Sequence, residues 1–381
     1  MVSKKLLSAV VISLLLVLIV VGIWRVAVGD DGSSPEPAAQ AGGGDGGDPQ
    51  RSGSGTRSAA ARTADDVCER LSHKTDPQQA LADLKELRAA LEAMGPKEAA
   101  SWVGDFLASG RDAELPLEFK VGSDGQLVTA PTLRSALLDH LALVNPQAAA
   151  KLGREILATP TTADEWALGL RNVARVEGDE ASLAFLRQKT EELIRKADWQ
   201  ADPSAGYLNA FDVLVFTRAT DSTPLLSELI QRKDREDLAH AGLLTLERLI
   251  RAEPVAMLGE LANDRPLQQI RPEMVAQQFA RADLRDPAQR DLVRDWLLHV
   301  ERRAHELDIF ASTFPNGSQT ISNNLLTKQG GIEGADLRDR GLRSLEVVES
   351  WLQSPEFQQI QSHLRVMRRK ISGLIEQAVG E

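Results

Sequence analysis

Gly42, Gly44 and Gly47 stand in the spacing G-x-G-x-x-G. That pattern cradles a dinucleotide pyrophosphate when a strand precedes it and a helix follows. Here it has neither, so no dinucleotide site is expected. The six histidines are scattered. His299 and His305 are six residues apart, on different sides of one expected helix, not at the spacing that turns two ligands to one metal. His140 follows Asp139, but adjacent helical residues point apart, so no relay pair is implied. Cys68 is the only cysteine. It excludes an intrachain disulfide and a multi-cysteine metal site. Beside Val67 and one turn before Leu71 it reads as a small buried hydrophobe, with an interchain bridge as the alternative. Asp65-Asp66 and Glu191-Glu192 read as solvated helix faces. Two carboxylates distant in sequence could still meet as acid and base. The phosphate-loop, H-E-x-x-H, G-x-S-x-G and calcium-loop patterns are all missing from the sequence. No catalytic residue, metal or cofactor is assigned.

The first element is a membrane anchor. Leu6 to Trp24 is nineteen residues without a charge, behind Lys4 and Lys5. As a helix it spans about 28 Å, close to a ~30 Å hydrocarbon core. Leu6, Leu14 and Leu18 face lipid in this reading, and Trp24 anchors the interface. Residues 1–5 stay in the cytoplasm by the positive-inside bias, and the body lies beyond the membrane, periplasmic or extracellular. The rival reading is a signal cleaved after Gly29, since Ala27-Val28-Gly29 offers small residues. Residues 29–63 hold nine Gly, five Ser and three Pro and nothing apolar larger than Ala. They are expected to be a disordered linker reaching about 30–35 Å.

After position 63 come 38 basic and 50 acidic residues, a charge of −12. An acidic body argues against nucleic acid. Aromatics at 4% are thin for a β-rich fold. The body reads as helix after helix. In residues 131–144 Leu133, Leu137, Leu141 and Val144 share a face; Asn145 then caps and Pro146 opens the next helix. The same grammar recurs at Asp179, Ser222, Glu253 and Asp286, at intervals of 34, 43, 31 and 33 residues. Trp166, Leu170 and Val173, then Tyr207, Phe211 and Leu214, then Val255, Leu258 and Ala262, and then Leu292, Trp296, Val300, Ala304 and Leu307 are the expected apolar stripes.

The X-Pro-X-X-Ala/Leu starts and the spacing near 35 resemble the HEAT-like and tetratricopeptide-like helical repeats, over about residues 130–310. The resemblance is architectural. It implies an all-α fold, an irregular α-solenoid of antiparallel helix pairs, which exposes a long curved surface. Before it, residues 64–129 are expected to hold helices with Leu81, Leu84, Leu87, Leu91 and Met94 inward, then Trp102 and Phe106 on one face. A β-hairpin follows, Leu117–Val121 returning through Gln126–Thr129, packed on the helices as a lid or wedge. The array fills 130–312, an irregular loop 313–334, and two capping helices 335–381.

The loop is the candidate interaction segment. More than twenty residues without a period are unusual inside a packed array. Phe314 and Ile321 would anchor it, and Asn316, Gln319, Asn323 and Asn324 could meet a partner; the plainer reading is an ordered crossover. Asn316-Gly317-Ser318 has the form of a glycosylation sequon. In the last helix Phe357, Ile360, Leu364, Met367, Ile371, Leu374 and Ala378 alternate steps of three and four. This seam either caps the array by packing on Leu342, Leu345, Val348 and Leu352, or forms a homodimer through 357–378. Arg365, Arg368 and Arg369 form a basic belt off the seam, a solvated face or a seat for an acidic partner. The expected function is binding of a protein or peptide outside the cytoplasm, as scaffold, assembly factor or chaperone-like protein. The alternative is a hydrolase of envelope polymer or peptide with a cleft near the loop.

Overall fold

The computed structural model describes residues 58–73, 76–328 and 334–377. The expected membrane segment, with Leu6, Leu14, Leu18 and Trp24, lies outside these residues, as does most of the expected linker. Among the described residues no helix is long and apolar enough to cross a membrane. The fold is mostly helical, with one antiparallel pair of short strands.

The first helix, Ala59–Ser72, begins inside the segment read as linker. Ser58 accepts from the Ala61 amide at 3.0 Å and caps it. Ala61, Ala64, Val67, Cys68 and Leu71 then form its buried face. Alanines supply two of those five residues and the first of them lies inside the Gly/Ser-rich stretch, which is why the composition hid the start. Cys68 is free and buried, and burial pushes its thiol up to about 12. Helix Pro77–Met94 is capped by Asp76. It buries Leu84, Leu87 and Leu91 but leaves Leu81 largely exposed, against expectation. Helix Pro96–Ala108 stacks Trp102 on Phe106, with ring centroids 5.7 Å apart.

The hairpin is shorter than expected: Lys120–Val121 (β1) pairs with Leu127–Thr129 (β2). It is wedged onto helices Leu133–Val144 and Ala163–Ala174 through one buried polar network. Asp139 accepts the Leu127 amide at 2.9 Å and pairs with Arg171, whose side chain is wholly buried. Arg171 also donates to Gly125 O at 3.0 Å and to Asn172 Oδ1 at 2.9 Å. Asn172 Nδ2 donates to Leu138 O at 3.1 Å. The sequence had Asp139 and His140, as adjacent helical residues, pointing apart. In the fold both are buried: Asp139 meets the hairpin through the Leu127 amide, and His140 lies near Arg88 and Glu92 of helix Pro77–Met94.

His140 yields a pH prediction. Neither of its ring nitrogens has a hydrogen-bond partner among the described residues. Burial holds its pKa below the ordinary histidine value and Arg88 adds to this, against Glu92 and Asp139. The native state therefore keeps a neutral ring while the unfolded chain takes up a proton near pH 6.5. Stability is full above that pH and is lost as pH falls toward the depressed native pKa, by up to about 1.4 kcal/mol per unit. His140→Leu is expected to flatten this slope. Urea titrations at pH 7.5, 6.0 and 5.0 measure it, and an equal slope in the variant would remove His140 as the source.

From residue 133 onward successive helices pack on their neighbours. Asn145 caps Pro146–Ile156 by accepting from the Ala148 amide at 3.1 Å. This helix meets Ala163–Ala174 where Gly153 faces Gly169; a Cβ on Gly153 would lie 2.8 Å from the Gly169 carbonyl. Thr162, Asp179 and Ser204 cap the helices starting at Ala163, Glu180 and Ala205. Helix Glu236–Ala252 leads through Pro254 into Pro254–Asn263, whose buried face is Met257, Leu258 and Leu261. Val255 and Ala262 are exposed, so the stripe is rotated from the expected one. Residues 287–313 are two helices, Pro287–Leu298 and Ala304–Thr313, where one was expected. Val300, read as a core position, is 96% exposed at the break. Arg302 turns back there, donating to Trp296 O at 3.2 Å and lying 4.1 Å from the Trp296 ring. His299 and His305 accordingly sit on different elements.

At the C-terminal end helix Gly334–Gln353 pairs with Gln361–Gln377, and a 3-10 turn, Pro355–Ile360, opens the latter. The seam residues Phe357, Ile360, Leu364, Met367 and Ile371 are buried within the chain. They pack against the 334–353 helix, where Val348 is buried with them, whereas Leu342 is largely exposed.

Candidate interaction face

Residues 314–328 contain no helix or strand, yet they are fastened along their length. They form a strap that runs from the 304–313 helix over earlier elements, reaching Ala280, Arg251, β1 and Asp212. Phe314 is fully buried and stacks on Phe310, at 5.5 Å between centroids, at the end of an aromatic column through Trp296 and Phe279. Asn316 donates its main-chain amide to Ala280 O at 2.8 Å and its side-chain amide to Gln277 O at 3.1 Å. Ser318 O accepts from Arg251 and from Arg281, each at 2.6 Å, and Gln319 Oε1 accepts from Arg251 at 2.7 Å. Asn323 donates to Val121 O on β1 at 3.0 Å. Asp212 closes the far end. Its carboxylate accepts the amides of Leu326 and Thr327 at 2.8 and 2.9 Å, and the Thr327 hydroxyl as well.

The hairpin turn shapes the same end. Gly125 has φ +77°, and a Cβ there would lie 2.4 Å from the Leu325 carbonyl. Only glycine satisfies both the turn and the approach of the strap. Leu325 itself is fully buried.

The underside of the strap is unusually rich in guanidinium groups that bond neutral oxygens. Burial holds Arg248, Arg251 and Arg175 below the ordinary arginine range; for Arg251 the neighbouring Arg281 adds to it, for Arg175 Arg171 does. Asp212 moves the other way: burial raises its carboxyl, against the Thr327 and Leu326 donors and Arg248. Three cavities flank the strap. One of about 330 Å³ is lined by Arg251, Arg281, Asn316, Gln319 and Arg340. A second, also about 330 Å³, lies by Phe211, Asp237, His240, Arg248 and Asn323. A third of about 410 Å³ lies between Asp124, Arg175, Phe216 and Leu326. No family model matches the chain, and neither a curated protein nor a solved structure does.

The five strap residues singled out by sequence do come together along one line, but their side chains are spent largely within the chain. Phe314, Asn316 and Asn324 are buried, and Asn323 and Gln319 are held by β1 and by Arg251. Phe314 anchors the strap as expected; Ile321 does not, being 78% exposed. The Asn316 sequon is closed, since its amide already bonds Gln277 O and accepts from Ser318. Arg365, Arg368 and Arg369 are exposed on helix 361–377 and line none of the three strap cavities. Sequence reading missed Asp212, Arg248, Arg251, Arg281 and Arg340. The available signal was Arg248 and Arg251, three apart on the flank of an apolar stripe; nothing local says what they would meet.

Proposed function

We propose that the protein is a membrane-anchored, extracytoplasmic binding protein. Its body is an irregular array of antiparallel helix pairs of the HEAT-like or tetratricopeptide-like kind, and the strap face receives a protein or peptide, in the manner of a scaffold, assembly factor or chaperone-like holdase. The observation that carries this reading is the strap: a segment pinned at both ends, beside three cavities of mixed lining, with Ile321 held out to solvent. A surface ordered before binding loses little entropy when a partner arrives. The apolar N-terminal segment supplies the tether to the membrane and a high local concentration there.

The hydrolase alternative draws less support. Asp283 and Asp336 share one cavity, but both accept hydrogen bonds from Arg285, each at 2.6 Å. Burial acts to raise Asp283, and the Arg285 hydrogen bonds with the Arg340 and Arg285 charges outweigh it, holding the carboxyl below its ordinary value. A general acid needs the opposite shift.

The test uses the full chain in its own membrane. A photo-crosslinking residue at Ile321 is expected to trap one discrete neighbour, and the same residue at the equally open Val300 is not. A reporter active only outside the cytoplasm, fused after residue 381, is expected to be active. Diffuse or equal labelling at the two positions counts against the strap face, and a silent reporter against the address.

A further inference from the structure

The cavity beside Arg340 has a charge arrangement that the strap alone does not require. Arg340 is 8% exposed, and its guanidinium bonds only main-chain carbonyls, those of Arg281 and Ala282, through Nη2. Its Nε is buried with no acceptor. Arg251, on the same wall, bonds Ser318 O and Gln319 Oε1, both neutral. Neither forms an ion pair among the described residues. Arg281 completes the wall and is matched by Glu247 at 2.9 Å. The two acids of the lining, Asp283 and Asp336, are turned to Arg285. Burial pushes Arg340 below the ordinary arginine range, more than Asp283 and Asp336 raise it. Arg340 is thus buried without a carboxylate in contact, an arrangement that costs free energy until an anion meets it, and Arg251, exposed beside it, holds only neutral oxygens.

We propose that this cavity, between Arg251, Arg281, Gln319 and Arg340, binds the carboxylate of a polypeptide, so that the partner at the strap face presents an acidic side chain or a free C-terminus there. The source of the carboxylate rests on the binding-protein reading; the site itself does not. The chemistry selects the ligand. A planar guanidinium matches a planar carboxylate through paired N–H donors. The volume of about 330 Å³ is at the small end of ligand sites and suits one side chain. Asp283 and Asp336 in the same lining repel a phosphate dianion more than a single negative charge.

The experiment titrates the full chain in detergent with four probes: a capped peptide containing one glutamate, a neutral peptide ending in a free carboxylate, the same neutral peptide amidated, and inorganic phosphate. One or both carboxylate peptides are expected to bind at least tenfold tighter than the amidated peptide, and which of them does identifies the source. Arg340→Gln and Arg251→Gln are each expected to weaken that binding about tenfold or more, while Arg365→Gln leaves it unchanged. If Arg340→Gln does not fold by circular dichroism, Arg251→Gln carries the result. Equal binding of amidated and free peptides, tighter binding of phosphate, or insensitivity to Arg251→Gln would overturn the proposal. Carboxylate binding with no neighbour trapped at Ile321 keeps the site and sinks the binding-protein reading; a trapped neighbour with no carboxylate binding does the reverse.

Discussion

Replacing Arg171 by methionine is expected to destabilise the body by about 3–5 kcal/mol. The side chain is wholly buried and meets Asp139, Gly125 O and Asn172. Removing it strands the Asp139 carboxylate at 2% exposure and leaves Gly125 O without that donor. Loss of one partner of a buried pair is costly chiefly because the other stays charged and dry. The double variant with Asp139→Asn, which keeps an acceptor for the Leu127 amide, is expected to recover part of the loss. Urea denaturation of the full chain, followed by tryptophan fluorescence, reads both. A single variant within 1 kcal/mol of the parent would mean that this network does not hold the hairpin.

Asp212→Ala is expected to release the strap while the helices stay folded. The substitution leaves the Leu326 and Thr327 amides and the Thr327 hydroxyl without their acceptor. It also removes the carboxylate that lies 3.8 Å from Arg248. Hydrogen bonds to a charged group contribute about 1.5–3 kcal/mol each, so local opening should ease by about 3 kcal/mol. Hydrogen exchange of the Leu326 and Thr327 amides is expected to quicken by about a hundredfold or more. Protection unchanged at both amides would show that the strap is held by Leu325 and Asn316 instead.

What the sequence disclosed was whatever is decided within a turn or two of helix. Asn145, Asp179 and Asp286 cap where a side-chain oxygen stands just before an apolar period, because the hydrogen bond spans only two or three residues. The buried seam at Phe357, Leu364 and Met367 was legible for the same reason. Several local readings failed, Val300 and Leu81 among them. Val300 fits a step of four from Trp296, so periodicity carried a helix through a break that Arg302 makes by turning back on Trp296 O. Leu81 is apolar but stands on the side of its helix that its neighbours leave open. The interaction face failed differently. Its strap lacks any period, and its fastenings, Asp212, Arg251, Arg281 and Val121, lie far off in sequence. Nothing at Asn323 announces a carbonyl on a hairpin.

That last bond has a consequence for how the chain is made. Asn323 reaches Val121 across 202 residues, and Thr327 reaches Asp212 across 115. Emerging from the ribosome at about 5–20 residues per second, the hairpin waits roughly 10–40 seconds for its clasp. Every helix beneath is already present by then, and the turn at Gly125 stands ready but unlatched. Closure is therefore a late event in biogenesis, and a nascent chain stopped short of residue 314 would own every helix up to 304–313 without the fastening that ties them to the hairpin.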